Sequence, residues 1–197
     1  MLQSDQTREG LSRVLEAQGK RLICTQHGPC FHICYASLTF GRLLQTAVTP
    51  FAPKLKFIDI HANPDTQPDK LAPDIGIYPI NDQSQGDSKT DFSKMDLFVE
   101  FKIADIPDLF CHPDDPLHPK ADDFRFENDS DDAQVVRSQL VSYAAAQAGC
   151  QFRVHIFLCS RVCGMYTARF IRWDRDGAVV TRRFNYIKDP HFLAGFF

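Results

Sequence analysis

Two acids, a lysine, a glutamine and a tyrosine are spaced in this chain so that they could share one site. Residues 95–103 read Met-Asp-Leu-Phe-Val-Glu-Phe-Lys-Ile, in which Leu97, Val99, Phe101 and Ile103 alternate with Asp96, Phe98, Glu100 and Lys102. In a strand, period two places Glu100 and Lys102 side by side on one face. A carboxylate and an ammonium on a largely apolar strand cost desolvation free energy unless something pairs with them. A metal ion with its water is one such partner, and an ordinary salt-bridged strand is the other reading. Upstream, Asp74 follows Pro73 at the entrance of a short β-prone run, residues 72–79. Downstream, residues 137–146 are helical in composition, and Gln139 and Tyr143, four apart, fall on one face.

The order Pro-Asp, Glu-x-Lys, Gln-x-x-x-Tyr resembles the PD-(D/E)xK nuclease superfamily, with the helix motif of its RecB-like branch. A second resemblance covers roughly residues 73–197. The segments PDIGIY, LFVEFK, VRSQLVSYAAAQ and RVHIFLCS, and above all IRWDRDGAVV, are similar to the region preceding the kinase domain in fungal-type protein kinases. The kinase core itself is not encoded here: there is no glycine-rich phosphate loop, no His-Arg-Asp and no Asp-Phe-Gly. The resemblances imply an α+β fold, a mixed central β-sheet flanked by helices with a PD-(D/E)xK nuclease-like core. They imply Mg²⁺ on Asp74 and Glu100, helped by the Phe101 carbonyl, with Lys102 holding or activating a water and Gln139 and Tyr143 orienting the lysine and the substrate backbone. Nucleic acid would be met by Arg169, Arg172, Arg182 and Arg183. The function they lead us to expect is a non-kinase module, regulatory or partner-binding, whose partner is the kinase domain or another protein. Mg²⁺-dependent hydrolysis of phosphodiesters in nucleic acid is the alternative.

A chain of 197 residues, 44% of them hydrophobic, has the material for one core, so one domain over residues 1–197 is expected. The net charge of -3 conceals a split. Residues 104–132 form an acidic, proline-rich insertion, read as a long solvated loop with Pro107, Pro113, Pro116 and Pro119. From Cys150 onward arginines dominate, and the C-terminal part is basic. No run approaches twenty apolar residues, so no membrane partner is expected. Seven cysteines, an odd number, and an N-terminus without a basic-then-apolar leader suggest reduced thiols in a cytoplasmic or nuclear protein.

The remaining elements frame the site. Ser4 or Asp5 caps an expected helix with Leu11, Val14 and Leu15, ended by Gly19, and the nuclease resemblance would give Glu16 an accessory acidic role. Cys24, His27, Cys30, His32 and Cys34 invite a zinc reading, but no second ligand pair has matching spacing, and buried thiols around a Gly28-Pro29 turn are preferred. Strands are expected at 31–35 and 54–60, with a helix at 36–48 stopped by Pro50 and a polar connection at 81–94. From Asp132 a helix should bury Val135, Val136, Leu140, Val141 and Ala144 and end at Gly149. Strands at 152–158 and 166–173, a tight turn at 174–177, a return strand at 178–184 and a helix opened by Asp189-Pro190 complete the chain.

Overall fold

The computed structural model describes Thr46 and residues 48–81, 89–102, 107–112, 124–162 and 167–197, with backbone alone at 158–162. The expected N-terminal helix with Glu16, the cysteine–histidine group at 24–34 and the strand at 31–35 lie outside the described residues. So do Ile103 to Ile106, residues 113–123 and half of the 81–94 connection, residues 82–88. Of the helix expected at 36–48, Thr46 and Val48 are described, and both are helical.

The described chain is α+β. Strands β1 (Leu55–Asp59), β2 (Ile75–Pro79) and β3 (Leu97–Lys102) run antiparallel in sequence order. Helix α1 (Asp131–Cys150) then crosses to β4 (Ile156–Val162), which pairs parallel with β3. A parallel pair cannot be joined by a hairpin, and the 20-residue helix is the crossover it requires. Strand β5 (Thr167–Asp174) returns antiparallel, and β6 (Gly177–Val180) and β7 (Phe184–Asn185) share its outer edge. The result is one seven-stranded mixed sheet in the spatial order β1-β2-β3-β4-β5-β6. Helix α2 (Pro190–Phe196), with Pro190 in its first turn, closes the chain.

Both faces of the sheet are covered, which decides the fate of the alternating strand. On one face Phe57, Ile75, Ile77, Val99 and Ala168 pack with Val48, Ala52, Tyr186 and Leu193. On the other, Ile60, Tyr78, Phe98 and Ile171 pack under Val136, Leu140, Tyr143 and Ala144 of α1. Glu100 shares the α1 face with Phe98 and is therefore buried rather than solvated, at 3% exposure. The turn at 174–177 forms as expected: Asp174 pairs with Gly177 across a two-residue loop, and Gly177 adopts φ +142°, an angle side chains rarely tolerate.

Five expectations are corrected. The buried side of α1 is Ala133, Val136, Leu140, Tyr143, Ala144 and Gln147, whereas Val135 and Val141 face solvent. The helical turn of about 100° per residue brings Tyr143 and Gln147 into the stripe and carries the two valines out of it. Helix α1 also starts earlier and ends later, capped by the Ser130 side chain and closing on Gln151. Strand β4 starts at Ile156, leaving Phe152 and Val154 exposed, because Gln151 and Arg153 are tied to the carbonyls of Met95 and Asp96. The return strand stops at Val180, where the Thr181 hydroxyl accepts the Phe170 N–H, and resumes as β7. Finally, part of the acidic insertion is core: Leu109, Phe110 and Cys111 are buried, and Phe110 bridges to Glu127.

A candidate acid–lysine site at one end of the sheet

The first turn-residue before β2, the end of β3 and the middle of α1 meet at one end of the sheet. Asp74 sits where the next β2–β3 pair would fall after Ile75 and Val99. Its Oδ2 accepts the N–H of Phe101 at 2.7 Å, so the aspartate side chain takes a ladder position that backbone leaves open. The Asp74 N–H in turn donates to Glu100 Oε2 at 3.3 Å. Lys102 Nζ donates to Glu100 Oε1 at 2.7 Å and to Gln139 Oε1 at 2.7 Å. Gln139 Nε2 donates to the Tyr143 oxygen at 2.6 Å, and the Tyr143 hydroxyl donates to the Ala72 carbonyl at 3.0 Å. Asp74, Glu100, Lys102, Gln139 and Tyr143 thus form one continuous network drawn from three separate elements. The Glu100–Lys102 contact is an ion pair within a single strand, two residues apart.

The electrostatics of this network are strained by burial. Desolvation, then the neighbouring Asp74 carboxylate, push the Glu100 carboxyl up to about 7 against the opposing pull of Lys102. Asp74 is also raised, again chiefly by burial, with the Phe101 N–H and Lys102 holding it down. Tyr143 is pushed well above the ordinary phenol range by burial and by the field of Glu100, and stays a neutral donor. Two carboxylates facing one lysine leave a buried excess of negative charge whenever both are ionised. That is a hard-oxygen donor set suited to a hydrated divalent cation, which needs only one or two protein carboxylates. Among the described residues no three His, Cys, Asp or Glu side chains gather as a metal-ligating group, so a cation at Asp74 and Glu100 would keep much of its water.

Helix α1 is held in register by a polar ladder with a four-residue repeat. Beyond Gln139 and Tyr143, Gln147 donates to the Met95 carbonyl at 2.6 Å, and Gln151 donates to the Phe92 and Met95 carbonyls at 2.5 and 2.6 Å. The Tyr143 ring meets Phe98 edge-on. Gln147 and Gln151 escaped the sequence reading, although their spacing continues that of the two residues it singled out. Asp59 and His61 escaped it too: the His61 Nδ1 lies 2.5 Å from Asp59 Oδ1, at the end of β1. Their signal was two polar residues two apart at a strand end.

The four arginines expected to meet nucleic acid do not form one patch. Arg169 and Glu100 are both register partners of Ser160, so they share the α1 face two strands apart. Arg169 is only 5% exposed and is consumed by protein acceptors: Asp108 through Nε at 2.9 Å and Nη2 at 2.7 Å, and the Thr181 and Phe110 carbonyls. The Arg169 guanidinium is thus held among protein acceptors on the sheet. Arg183 lies 3.4 Å from the same Asp108 carboxylate. Arg182 and Arg183 are close enough to His112 to add to burial and Arg169 in lowering its pKa. Arg172, three residues from Arg169 in a strand, is on the opposite face, paired with Asp174 at the far end of the sheet. Among the described residues no helix is long and apolar enough to cross a membrane. Compared with known proteins, the chain matches no family model, no curated protein and no solved structure.

Proposed function

We propose that the chain carries a divalent-cation-dependent phosphodiester hydrolase site of the PD-(D/E)xK nuclease type, with nucleic acid as the substrate class. One observation carries this: residues 74, 100, 102, 139 and 143, from strand entrance, strand and helix, converge in a single network around two buried carboxylates. Asp74 and Glu100 hold the cation, Mg²⁺ by their oxygen chemistry. A divalent cation there polarises a phosphate and lowers the pKa of a bound water. Lys102 stands beside the acids as the cation that offsets charge developing on the phosphate, and Gln139 fixes its ammonium. The antiparallel β1-β2-β3 run followed by a helical crossover into a parallel strand supports a nuclease-like core.

The closure of the network favours a second reading. Lys102 Nζ is committed to Glu100 and Gln139, and both Glu100 oxygens are engaged, so the cluster also suits a catalytically silent module that docks on a kinase domain or another protein. Calorimetric titration of Mg²⁺ and Mn²⁺ separates the two. The hydrolytic reading expects binding that is lost in an Asp74→Ala, Glu100→Ala variant, and oligonucleotide cleavage that is lost in Lys102→Ala. Absence of cation binding by the wild type refutes it and leaves the silent module.

A further inference from the structure

With both of its carboxylates ionised, the acid–lysine network has a surplus of negative charge. Two strands away, the same face of the sheet has a surplus of positive charge. Arg169 on β5 is in register with Ser160, and Ser160 with Glu100 on β3, so Arg169 shares the Glu100 face at two strand spacings, about 10 Å. Two guanidiniums meet one carboxylate there: Asp108 Oδ2 is 2.7 Å from Arg169 Nη2 and 3.4 Å from Arg183 Nη1. Guanidiniums stay protonated in proteins, so the two arginines outweigh Asp108. Arg137 of α1 donates to the Leu109 carbonyl at 3.0 Å, which ties the segment holding Asp108 to the helix that carries Gln139.

The members of this cluster have different parts. Every N–H of the Arg169 guanidinium goes to a protein acceptor: Nε and Nη2 to Asp108, Nη2 also to the Phe110 carbonyl, and Nη1 to the Thr181 carbonyl and to His112 Nε2. Arg169 therefore supplies charge and frame. The contact with His112, at 2.6 Å, fixes that ring's tautomer. A guanidinium can only donate, so Nε2 accepts and the ring is neutral with its proton on Nδ1. Burial, then Arg169, lower the His112 pKa, in keeping with a neutral ring. The Arg183 side chain is 36% exposed, so its guanidinium lies at the surface of the cluster while the carboxylate and Arg169 lie deeper. A neutral N–H and an exposed guanidinium, backed by a buried positive charge, make a donor set suited to a phosphodiester anion.

We propose that Arg183 and His112, with Arg169 behind them, hold a second backbone phosphate of the nucleic acid whose scissile phosphate lies at Asp74 and Glu100. The inference rests on the hydrolytic reading above and adds to it a phosphate contact outside the three motif elements. Arg172, on the opposite face, takes no part.

The test is the anisotropy of a labelled oligonucleotide titrated with the full chain in EDTA, where no cleavage proceeds, over a series of salt concentrations. Arg183→Gln should weaken binding about tenfold. It should also flatten the slope of log K against log salt by about 0.7 on a single strand or about 0.9 on a duplex, the share of one phosphate contact. His112→Ala removes a neutral donor, so it should weaken binding about three- to tenfold and leave the slope unchanged. Arg172→Gln should alter neither readout. Thermal melts check that the variants fold, and if His112→Ala does not, Arg183→Gln decides alone. Equal effects of Arg183→Gln and Arg172→Gln, or no effect of either, overturn the inference, while Mg²⁺ titration and cleavage by Lys102→Ala still judge the hydrolytic reading. Weaker binding by Arg183→Gln in a protein that cleaves nothing upholds the phosphate contact and removes the hydrolysis. A folded wild type that binds Mg²⁺ but no oligonucleotide overturns nucleic acid as the substrate class and this inference with it.

Discussion

Glu100 should make the stability of this protein fall as pH rises from 5 to 8. Its carboxyl is raised from 4.5 to about 7, so the folded state binds the proton more tightly than the unfolded chain does. For a raised carboxyl the stabilisation is present in full below the unfolded pKa and is lost as pH climbs through the folded one. The full rise corresponds to at most about 3 kcal/mol, and because Asp74 competes for the same proton the realised fall is about 1–3 kcal/mol. In a domain of this size each kcal/mol moves the melting temperature by about 2–4 °C. Urea denaturation or calorimetry of wild type and Glu100→Gln across this pH range isolates the effect, since histidines and other titrating groups are common to both. The wild-type curve should decline relative to the variant, which should be flatter and lose less between pH 5 and 8. Added Mg²⁺ should restore the wild type, more at pH 8 than at pH 5, and leave the variant unmoved. Parallel curves for the two proteins would show that Glu100 does not titrate in this window and would remove the basis for a strained acid pair.

Two further outcomes test the frame around the site. A Cβ on Gly76 would lie 2.6 Å from Tyr78 Cε2 and 2.9 Å from Ile60 Cδ1, and the Tyr78 ring is fully buried. Gly76→Ala should therefore cost about 1–3 kcal/mol by overpacking, read as a lower urea midpoint at unchanged slope, and an unchanged midpoint would show that the ring can yield. Arg169→Met leaves Asp108, 20% exposed in its side chain, without its bidentate partner and should cost about 3 kcal/mol. Adding Asp108→Leu should recover most of that loss, and additive costs in the double-mutant cycle would refute the coupling.

The alternation of residues 97–102 was enough to place Glu100 and Lys102 on one face, and the i,i+4 spacing of Gln139 and Tyr143 was enough to put them together on a helix. What period alone could not give was depth. Phe98 and Glu100 look equally placed in the pattern, yet whether that face meets water depends on α1, whose arrival is a tertiary fact. The valines misled for a related reason: Val135 and Val141 are apolar enough to be read as core, but the stripe is set by what β3 offers. The residues just before that strand offer backbone carbonyls at Phe92, Met95 and Asp96, which call for Gln147 and Gln151 rather than valine. The acidic insertion was read by its average composition, which hides the Leu109-Phe110-Cys111 run and the single aspartate, Asp108, that neutralises Arg169. Composition describes how a segment meets solvent when nothing pairs with it, and here a strand two removed from Glu100 supplied the pair.

The acid pair is poor as a stabilising device, and that bears on why it is there. A buried ion pair is often no better than apolar residues of the same volume. This one is worse than a simple pair, since Asp74 adds a second carboxylate that raises Glu100 and is itself raised by burial. Strand β3 and helix α1 would hold together without it: Phe98 packs against Tyr143, Gln147 grips the carbonyls before the strand, and Leu140 and Val136 fill the interface. If the cluster served adhesion, Glu100→Gln would weaken the protein at every pH. If it is held in tension for a cation, the same substitution stabilises the protein at pH 8 and abolishes cation binding together. The sign of one stability difference, measured beside one calorimetric titration, separates a structural polar cluster from a site.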